Sequence, residues 1–224
     1  MNDTDILLER CCTTVEQVRE AAENGAGRVE LCVCLEVGGV TPPEDLIRDA
    51  VSVVAAERMA VNVLVRPRGG DFVYDEREAE QMVETIRACR RLGVDGVVIG
   101  ALTPEGNVDV PLMRRLMAAA GAQPRRLSVT FHRAFDRAAE PFGALEDVIA
   151  LGCDRLLTSG QQPTAPEGSE LIRRLVSAAA GRIIIMPGSG VTPQNIAGLA
   201  ACTGAVEFHG TRLAAKDNGA LAEK

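Results

Sequence analysis

Two apolar segments near the amino terminus each carry a carboxylate and a thiol at the same spacing. Glu9 and Cys11 are two residues apart, and so are Glu30 and Cys32. Residues two apart on a β-strand point to the same face, and neighbouring strands lie about 4.8 Å apart. If the segments pair, the two thiols can share a soft metal such as Cu(I), for which thiolate is the preferred ligand. The alternative is that these cysteines only fill space, because the sequence contains no C-x-x-C motif.

The only two histidines of the chain, His132 and His209, lie on apolar segments of the same kind. Valine and phenylalanine alternate with Ser128, Thr130 and His132, so these polar residues share one face, and Glu207 shares a face with His209. Either histidine is a candidate for proton transfer, and a hydrogen-bonded core histidine is the alternative. The candidate catalytic residues are Glu9, Glu30, His132, Asp136 and His209.

Arginine supplies nearly all the positive charge. Lysine occurs only at Lys216 and Lys224, so the rest of the chain has no amine for a Schiff base or a Walker-type phosphate site. Arg66 opens the segment 66–72, Arg-Pro-Arg-Gly-Gly-Asp-Phe, and Arg133 follows the first histidine. A guanidinium binds a carboxylate or phosphate through two hydrogen bonds. We expect Arg66 either to pair with an inward carboxylate or to bind an anionic ligand.

A glycine-rich segment, Met-Pro-Gly-Ser-Gly-Val at 186–191, offers backbone N–H groups that are open to an anion. The segment Thr-Ser-Gly-Gln at 158–161 adds hydroxyl and amide donors. Together with the arginines, these segments predict a small anionic substrate. The candidate anion-binding residues are Arg66, Arg68, Arg133, Ser159, Gly188, Ser189 and Gly190.

Composition excludes several classes of function. The net charge of −7, the absence of tryptophan and the single tyrosine argue against nucleic acid or an anionic membrane as a partner. Two histidines are too few for a three-histidine zinc site. The start of the chain does not resemble a signal peptide, and no apolar run has membrane-spanning length. Seven cysteines, an odd number, favour a reducing cytoplasm.

These residues must be positioned by the strands and helices of the fold. Short β-branched segments alternate with longer amphipathic ones along the chain, which predicts parallel strands joined by helices. We expect a single α/β domain, a (β/α)₈ TIM barrel over residues 1–212 with a tail at 213–224; an open doubly wound sheet is the alternative, although no G-x-G-x-x-G follows the first strand. Helix starts are predicted at 41–44, 75–78 and 192–195. The predicted strands are Ile6–Cys11, Arg28–Leu35, Val61–Arg66, Gly96–Leu102, Leu127–Ala134, Arg155–Ser159, Arg182–Met186 and Ala205–Gly210.

Several motifs, in order along the chain, resemble the CutC family of copper homeostasis proteins from about Ile6 to Arg212. Two departures are Ser189, where many members have glycine, and the unusual Arg10 and Cys12 around Cys11. The motifs are Val-Glu-Leu-Cys at 29–32, Arg-Pro-Arg-Gly-Gly-Asp-Phe at 66–72, Thr-Phe-His-Arg-Ala-Phe-Asp at 130–136, Leu-Leu-Thr-Ser-Gly at 156–160, Ile-Met-Pro-Gly-Ser-Gly at 185–190 and Glu-Phe-His at 207–209.

The resemblance implies a cytoplasmic (β/α)₈ barrel that forms a dimer or tetramer and binds Cu(I) at Cys11 and Cys32, without an organic cofactor. The residues themselves favour a second hypothesis. Arginines, histidines and carboxylates at the strand ends are typical of an isomerase, lyase or hydrolase acting on a phosphorylated or carboxylated metabolite, with His132 or Glu30 as general base. The ligand is therefore expected to be either a copper ion or a small anion.

Overall fold

The computed structural model describes residues 6–55, 57, 59–121 and 126–213. Within them, eight strands alternate with seven α-helices, and two short 3₁₀ helices lie at Leu35–Val37 and Arg133–Arg137. The strands are β1 Leu7–Cys12, β2 Arg28–Leu31, β3 Ala60–Leu64, β4 Gly96–Ile99, β5 Ser128–Phe131, β6 Arg155–Thr158, β7 Ile184–Pro187 and β8 Glu207–Gly210. The helices are α1 Val15–Glu23, α2 Glu44–Val54, α3 Glu76–Leu92, α4 Val110–Gly121, α5 Pro141–Ala150, α6 Ser169–Ala179 and α7 Ile196–Thr203.

All the strand pairs are parallel, in the order β7-β6-β5-β4-β3-β2-β1-β8, and the two end strands β7 and β8 contact each other. The sheet therefore closes almost completely into a barrel with the helices outside. The prediction of a single-domain (β/α)₈ barrel is confirmed, and the open doubly wound sheet is not formed. In such barrels the functional site lies at the carboxyl ends of the strands.

Strand alternation divides the buried residues into an outer shell and a barrel interior. Val129 and Phe131 of β5 belong to the large apolar core between sheet and helices. Inside the barrel, Cys11 and Cys32 form a separate small apolar cluster with Leu64 and Val98. Alternate residues of one strand therefore face two different environments, the helices outside the sheet and the interior of the barrel.

The helices pack their apolar stripes against the outside of the sheet. Asp75 begins α3 with a capping box, in which its Oδ1 accepts a hydrogen bond from the Glu78 N–H at 2.8 Å and its own N–H donates to Glu78 Oε2 at 3.1 Å. Gly93 ends this helix with φ +84°, a left-handed conformation that favours glycine. The helix start predicted at 75–78 is therefore confirmed.

At the two other predicted helix starts, α2 begins at Glu44 and α7 at Ile196, but the predicted threonine caps were wrong. Thr41 does not cap α2, which follows Pro43; its hydroxyl donates to the Arg66 carbonyl and accepts from the Arg66 N–H. Thr192 lies four residues before α7, and its N–H donates to Asn195 Oδ1. The Thr41 side chain thus resembles a cap but joins two loops, whereas at Thr192 it is the backbone that bonds to the side chain of Asn195.

Several predicted strands also extended too far. The second was expected to reach Leu35, but β2 ends at Leu31 and Cys34 adopts a left-handed φ of +56°. The chain then turns into the 3₁₀ helix Leu35–Val37, where the side chains of Leu35 and Val37 are about half exposed.

The predicted carboxyl-terminal tail begins inside the fold. Its first residue, Leu213, is buried in the core, and residues 214–224 lie outside the described residues. Among the described helices, none has both the length and the apolar character needed to cross a bilayer.

Candidate functional site

A cavity of about 360 Å³ opens at the carboxyl ends of the strands. Part of its wall is apolar and consists of the side chains of Leu35, Leu64, Phe72, Leu157 and Val191. The residues of this wall that the sequence singled out are Cys11, Glu30, Cys32, Arg66, His132, Arg133, Ser189, Gly190 and His209. A cavity of this size suits a small molecule.

Arg68 and Asp136, expected in the site, instead hold loops. Arg68 donates to Glu78 Oε1 at 2.5 Å and forms a salt bridge with Asp71 at 2.9 Å, so it folds its own segment back onto α3. Asp136 accepts hydrogen bonds from the Thr158 hydroxyl, the backbone of the loop after β6 and Arg133 Nε at 2.8 Å. Neither residue lines the cavity.

Ser159 and Gly188 are likewise engaged elsewhere. Ser159 is fully buried, and its hydroxyl bonds to Asp136 Oδ2 at 3.0 Å and to the Gln162 carbonyl at 2.5 Å. The Gly188 N–H donates to the Thr158 carbonyl at 3.0 Å, so it is not open to a ligand. The sequence could not show this, because Asp136 and Thr158 are distant along the chain from the groups that bond to them.

An ion network fills the interior below the cavity. Arg28 Nε donates to Glu9, while Arg28 Nη2 and Arg155 Nε each donate to Glu207 Oε2 at 2.6 Å. Arg155 also donates to Ser128 Oγ at 2.8 Å. The four charged side chains are buried or nearly so, and their charges cancel. The expectation that Arg66 pairs with an inward carboxylate was therefore wrong, because cations at the starts of β2 and β6 take that role.

Glu9 links this network to the cavity through His209. Its Oε1 lies 2.8 Å from His209 Nδ1, and His209 Nε2 lies 3.3 Å from Glu30 Oε2. Burial alone would raise the pKa of Glu9, but Arg28 and His209 outweigh it and hold the pKa at about 2. Burial raises the pKa of Glu30 to about 7. Burial alone would lower the pKa of His209, but Glu30, Cys11 and Glu9 raise it well above its usual value. Glu30 and His209 thus form a buried acid and base that share a cavity wall.

The two cysteines are brought together as the spacing predicted. Cys11 Sγ and Cys32 Sγ lie 3.4 Å apart, and both side chains are buried. The contact with Cys32 and burial raise the pKa of the Cys11 thiol. Ligand atoms of Cys11, Glu30 and His209 lie within 4.8 Å of one another. Cys11 therefore belongs both to the thiol pair and to a mixed group of soft and hard donors.

Arg66 reaches the cavity from the end of β3. Its Nη1 donates to the carbonyls of Val37 and Gly39 at 2.9 and 2.8 Å, and its Nη2 donates to the Gly70 carbonyl at 2.9 Å. Its guanidinium carbon lies 4.8 Å from the centre of the Phe72 ring. These acceptors carry no formal charge, and within the described residues Arg66 Nε has no hydrogen-bond partner.

His132 is held as a neutral donor. The Ala134 N–H donates to its Nδ1 at 3.1 Å, so the proton of the neutral ring is on Nε2, which has no hydrogen-bond partner among the described residues. Burial and the nearby Arg66 lower the pKa of His132 to about 3. A Cβ on Gly100 would lie 2.6 Å from His132 Nδ1, so only glycine leaves room for the ring. With Nδ1 occupied, His132 is suited to donate a hydrogen bond and unsuited to the role of general base predicted for it.

The loop after β7 contributes the remaining predicted residues. Ser189 and Gly190 line the cavity, and both have positive φ values, +75° and +67°. The Ser189 hydroxyl donates to the Pro163 carbonyl at 2.9 Å, so this side chain joins two loops. The loop therefore offers backbone, not hydroxyl, to a ligand.

Sequence reasoning gave no role to several residues that position the site, although it placed Glu207 on the inner face. Arg28 shares the strand face of Glu30, and Glu207 that of His209, because each pair is two residues apart. This spacing was a usable signal for the ion network. Gly100 has no local signal, since its role depends on a contact with the next strand. Phe72 packs against both Arg66 and His132, with 5.0 Å between its ring centre and that of the imidazole, which explains its place in the segment 66–72.

The sequence and the structure both resemble those of known proteins. The sequence model of the CutC family matches residues 6–214. A family protein CutC from Chromobacterium violaceum is 50% identical over 205 residues, which cover 92% of this chain and 80% of the relative. Another from Parabacteroides distasonis is 51% identical over 203 residues, 91% of this chain and 81% of the relative. The crystal structure named for the copper homeostasis protein CutC from Streptococcus agalactiae has a TM-score of 0.87 and 34% identity, over 92% of this chain and 99% of that one.

Proposed function

The chain belongs to the CutC family, and from this premise we propose that it acts in copper homeostasis by binding Cu(I) through Cys11 and Cys32. The observation that carries the proposal is the 3.4 Å separation of the two sulfur atoms on the cavity wall. Thiolate is the preferred ligand of Cu(I), and a carboxylate such as Glu30 is a poor one. Copper is here a cargo that the two sulfur atoms would hold.

The two cysteines have different neighbours, which bears on which groups can bind copper. Cys11 contacts Cys32 and also lies beside His209 and Glu30, whereas Cys32 is outside that second group. The two ring nitrogens of His209 face Glu9 and Glu30, so the imidazole is engaged before any metal arrives. Both thiols must lose their protons to bind the metal. We therefore expect the two thiolates, and not Glu30 or His209, to hold the ion.

Anaerobic titration with Cu(I) against a coloured competing chelator tests the proposal. Wild-type protein should bind one ion per chain, and Cys11→Ala or Cys32→Ala should weaken binding at least about a hundredfold, because a single thiolate remains. Cys12→Ala is the matched control, since Cys12 follows Cys11 on β1 but is buried in the core outside the barrel. Tight binding that persists in the Cys11→Ala/Cys32→Ala double variant would contradict the proposal.

A second candidate function is proton transfer on a small anionic metabolite, by an isomerase, lyase or hydrolase. The observation that favours it is the chain of contacts from Glu9 through His209 to Glu30, which ends at the cavity. Glu9 fixes the orientation of the imidazole, and Glu30 presents a carboxyl group to the ligand space. An acid and a base held side by side in a buried cavity are typical of enzyme sites.

This candidate is tested by incubating the protein in D₂O with a mixture of small organic acids and phosphate esters. Mass spectrometry should show deuterium incorporation that depends on wild-type protein and is lost in Glu30→Gln. Glu170→Gln is the matched control, because Glu170 is an exposed partner of Arg173. Equal incorporation by Glu30→Gln and wild type would exclude the proposed role of Glu30.

We also propose that the protein works in the cytoplasm as a dimer or tetramer. All seven cysteines are free, which fits a reducing compartment. Size-exclusion chromatography with light scattering would measure the mass in solution, and a mass of 23.7 kDa at micromolar concentration would contradict the oligomer.

A further inference from the structure

Two buried side chains of the cavity wall, Arg66 and His132, retain hydrogen-bond donors without acceptors. Each residue is 4% exposed, and in the described part of the chain Arg66 Nε and His132 Nε2 have no hydrogen-bond partner. Buried polar nitrogens are almost always paired, so two unpaired ones in residues that line the same cavity point to an acceptor from outside the chain. Neither residue takes part in the thiol pair or in the Glu9–His209–Glu30 contacts.

The charge of this pair limits the chemistry of the acceptor. Arg66 is permanently charged, and within the described residues it donates to neutral groups such as backbone carbonyls and forms no salt bridge. His132 adds an N–H donor without adding charge, because its Nδ1 accepts from the Ala134 N–H. One positive charge and a few N–H donors match a carboxylate, which has one negative charge and two acceptor oxygens. The other cations of the cavity wall, Arg133 and His209, already lie beside the carboxylates of Asp136, Glu9 and Glu30, so a phosphate monoester near its dianionic form would leave charge uncompensated.

The surroundings keep both donors in place and limit the size of the ligand. Phe72 lies against the guanidinium of Arg66 and the ring of His132, and Gly100 leaves space for that ring. The rest of the wall includes Leu35, Leu64, Leu157 and Val191, around a volume of about 360 Å³. A small acid with a short, partly apolar body fits such a space.

We propose that Arg66 and His132 form a subsite that binds the carboxylate of a small organic acid, separate from the cysteine pair. The subsite goes beyond copper binding. It also identifies small organic acids as the substrate class for the proton-transfer candidate. Any role of the subsite in catalysis rests on that proposed function.

Isothermal titration calorimetry of the full chain tests the subsite with three probes. Lactate should bind saturably at one site per chain, while lactamide, its neutral amide, should not bind. Inorganic phosphate should bind at least about tenfold more weakly than lactate, because of the charge argument above. Absence of lactate binding, equal binding of lactamide, or phosphate binding as tight as lactate would each overturn the proposal.

Two variants connect the binding to the two donors. Gly100→Ala places a methyl group against the His132 ring and leaves the hydrogen bonds of Arg66 intact, so lactate affinity should fall about tenfold to a hundredfold. Arg66→Lys keeps the charge but loses the planar donors, and a similar fall is expected. Arg173→Lys is the matched control, because Arg173 is an exposed arginine paired with Glu170. Unchanged lactate affinity in Gly100→Ala would contradict the role of His132 even if Arg66→Lys fails to fold.

The experiment separates failure of the subsite from failure of either proposed function. Cys11→Ala should lose Cu(I) binding and keep lactate binding, and Glu30→Gln should lose deuterium incorporation and keep lactate binding. If wild-type protein binds Cu(I) or incorporates deuterium but does not bind lactate, only the subsite is wrong. If lactate binds as expected without either activity, the subsite stands and the proposed functions do not.

Discussion

The interior of the barrel contains two layers of charged groups that differ in how they are paired. In the lower layer, Glu9, Arg28, Glu207 and Arg155 pair with one another, and their charges cancel. In the cavity above, Arg66 donates to backbone carbonyls and forms no salt bridge among the described residues. Both layers are buried, so burial alone does not identify a binding site. What separates them is whether the chain itself supplies the partner.

The comparison predicts the largest effect in the lower layer. Arg28→Met leaves Glu9 and Glu207 buried without the cation that joins them, and removing one partner of a buried ion pair costs about 3–5 kcal/mol. Urea denaturation should show this loss in the free energy of unfolding. Arg173→Ala, which removes an exposed pair on α6, should cost less than about 0.5 kcal/mol. A loss below about 1 kcal/mol for Arg28→Met would mean that the network does not stabilise the barrel.

A smaller effect is expected from the acid sensitivity of His132. The pKa of His132 is about 3 in the folded chain, below the usual value of about 6.5 in the unfolded chain, because of burial and Arg66. Between these values the unfolded state binds the extra proton, so stability is present above pH 6.5 and is lost as the pH falls toward 3. Wild type should therefore lose about 3 kcal/mol of stability between pH 7 and pH 4.5 by this route, and His132→Gln should not.

The measurement is the free energy of unfolding of wild type and His132→Gln at pH 7 and pH 4.5. Glu9, whose pKa is about 2, also loses its favourable contacts in acid, but it does so in both proteins and cancels in the difference. An identical loss of stability in the two proteins would show that His132 is not held neutral by its surroundings.

The smallest effect is expected for Arg66. Arg66→Met removes three hydrogen bonds to carbonyls but leaves no buried carboxylate without a partner, so we expect a loss of about 1–2 kcal/mol. The urea denaturation used for Arg28→Met measures it directly. If the two variants lose the same stability, Arg66 has a structural role equal to that of Arg28, and the distinction between paired and unpaired layers fails.

The sequence was sufficient to predict the barrel and the direction of most site residues, because both depend on local periodicity. Glu9 and Cys11 lie inside the barrel since they alternate with outward residues, of which Leu8 and Cys12 belong to the outer apolar core. The partner of Glu9 could not be predicted in the same way. Several arginines are available, and the register between β1 and β2, which aligns Glu9 with Arg28, determines which one pairs with it.

Loop residues were harder to predict for a related reason. Thr41 and Asp136 have the residue types of a cap and an active-site acid, but each is used to bind one loop to the next. Such contacts join segments that are distant in sequence and carry no period. The same limit applies to Gly100, which is defined by the imidazole of the neighbouring strand.

The charge-balanced lower network also has an evolutionary consequence. Its members come from β1, β2, β6 and β8, and replacing any one of them by a neutral residue leaves the buried network with a net charge. Lineages can therefore change these positions only through paired substitutions that keep the charges balanced, or by replacing the whole network with apolar side chains. We expect positions 9, 28, 155 and 207 to covary among homologous sequences, although the four lie far apart along the chain.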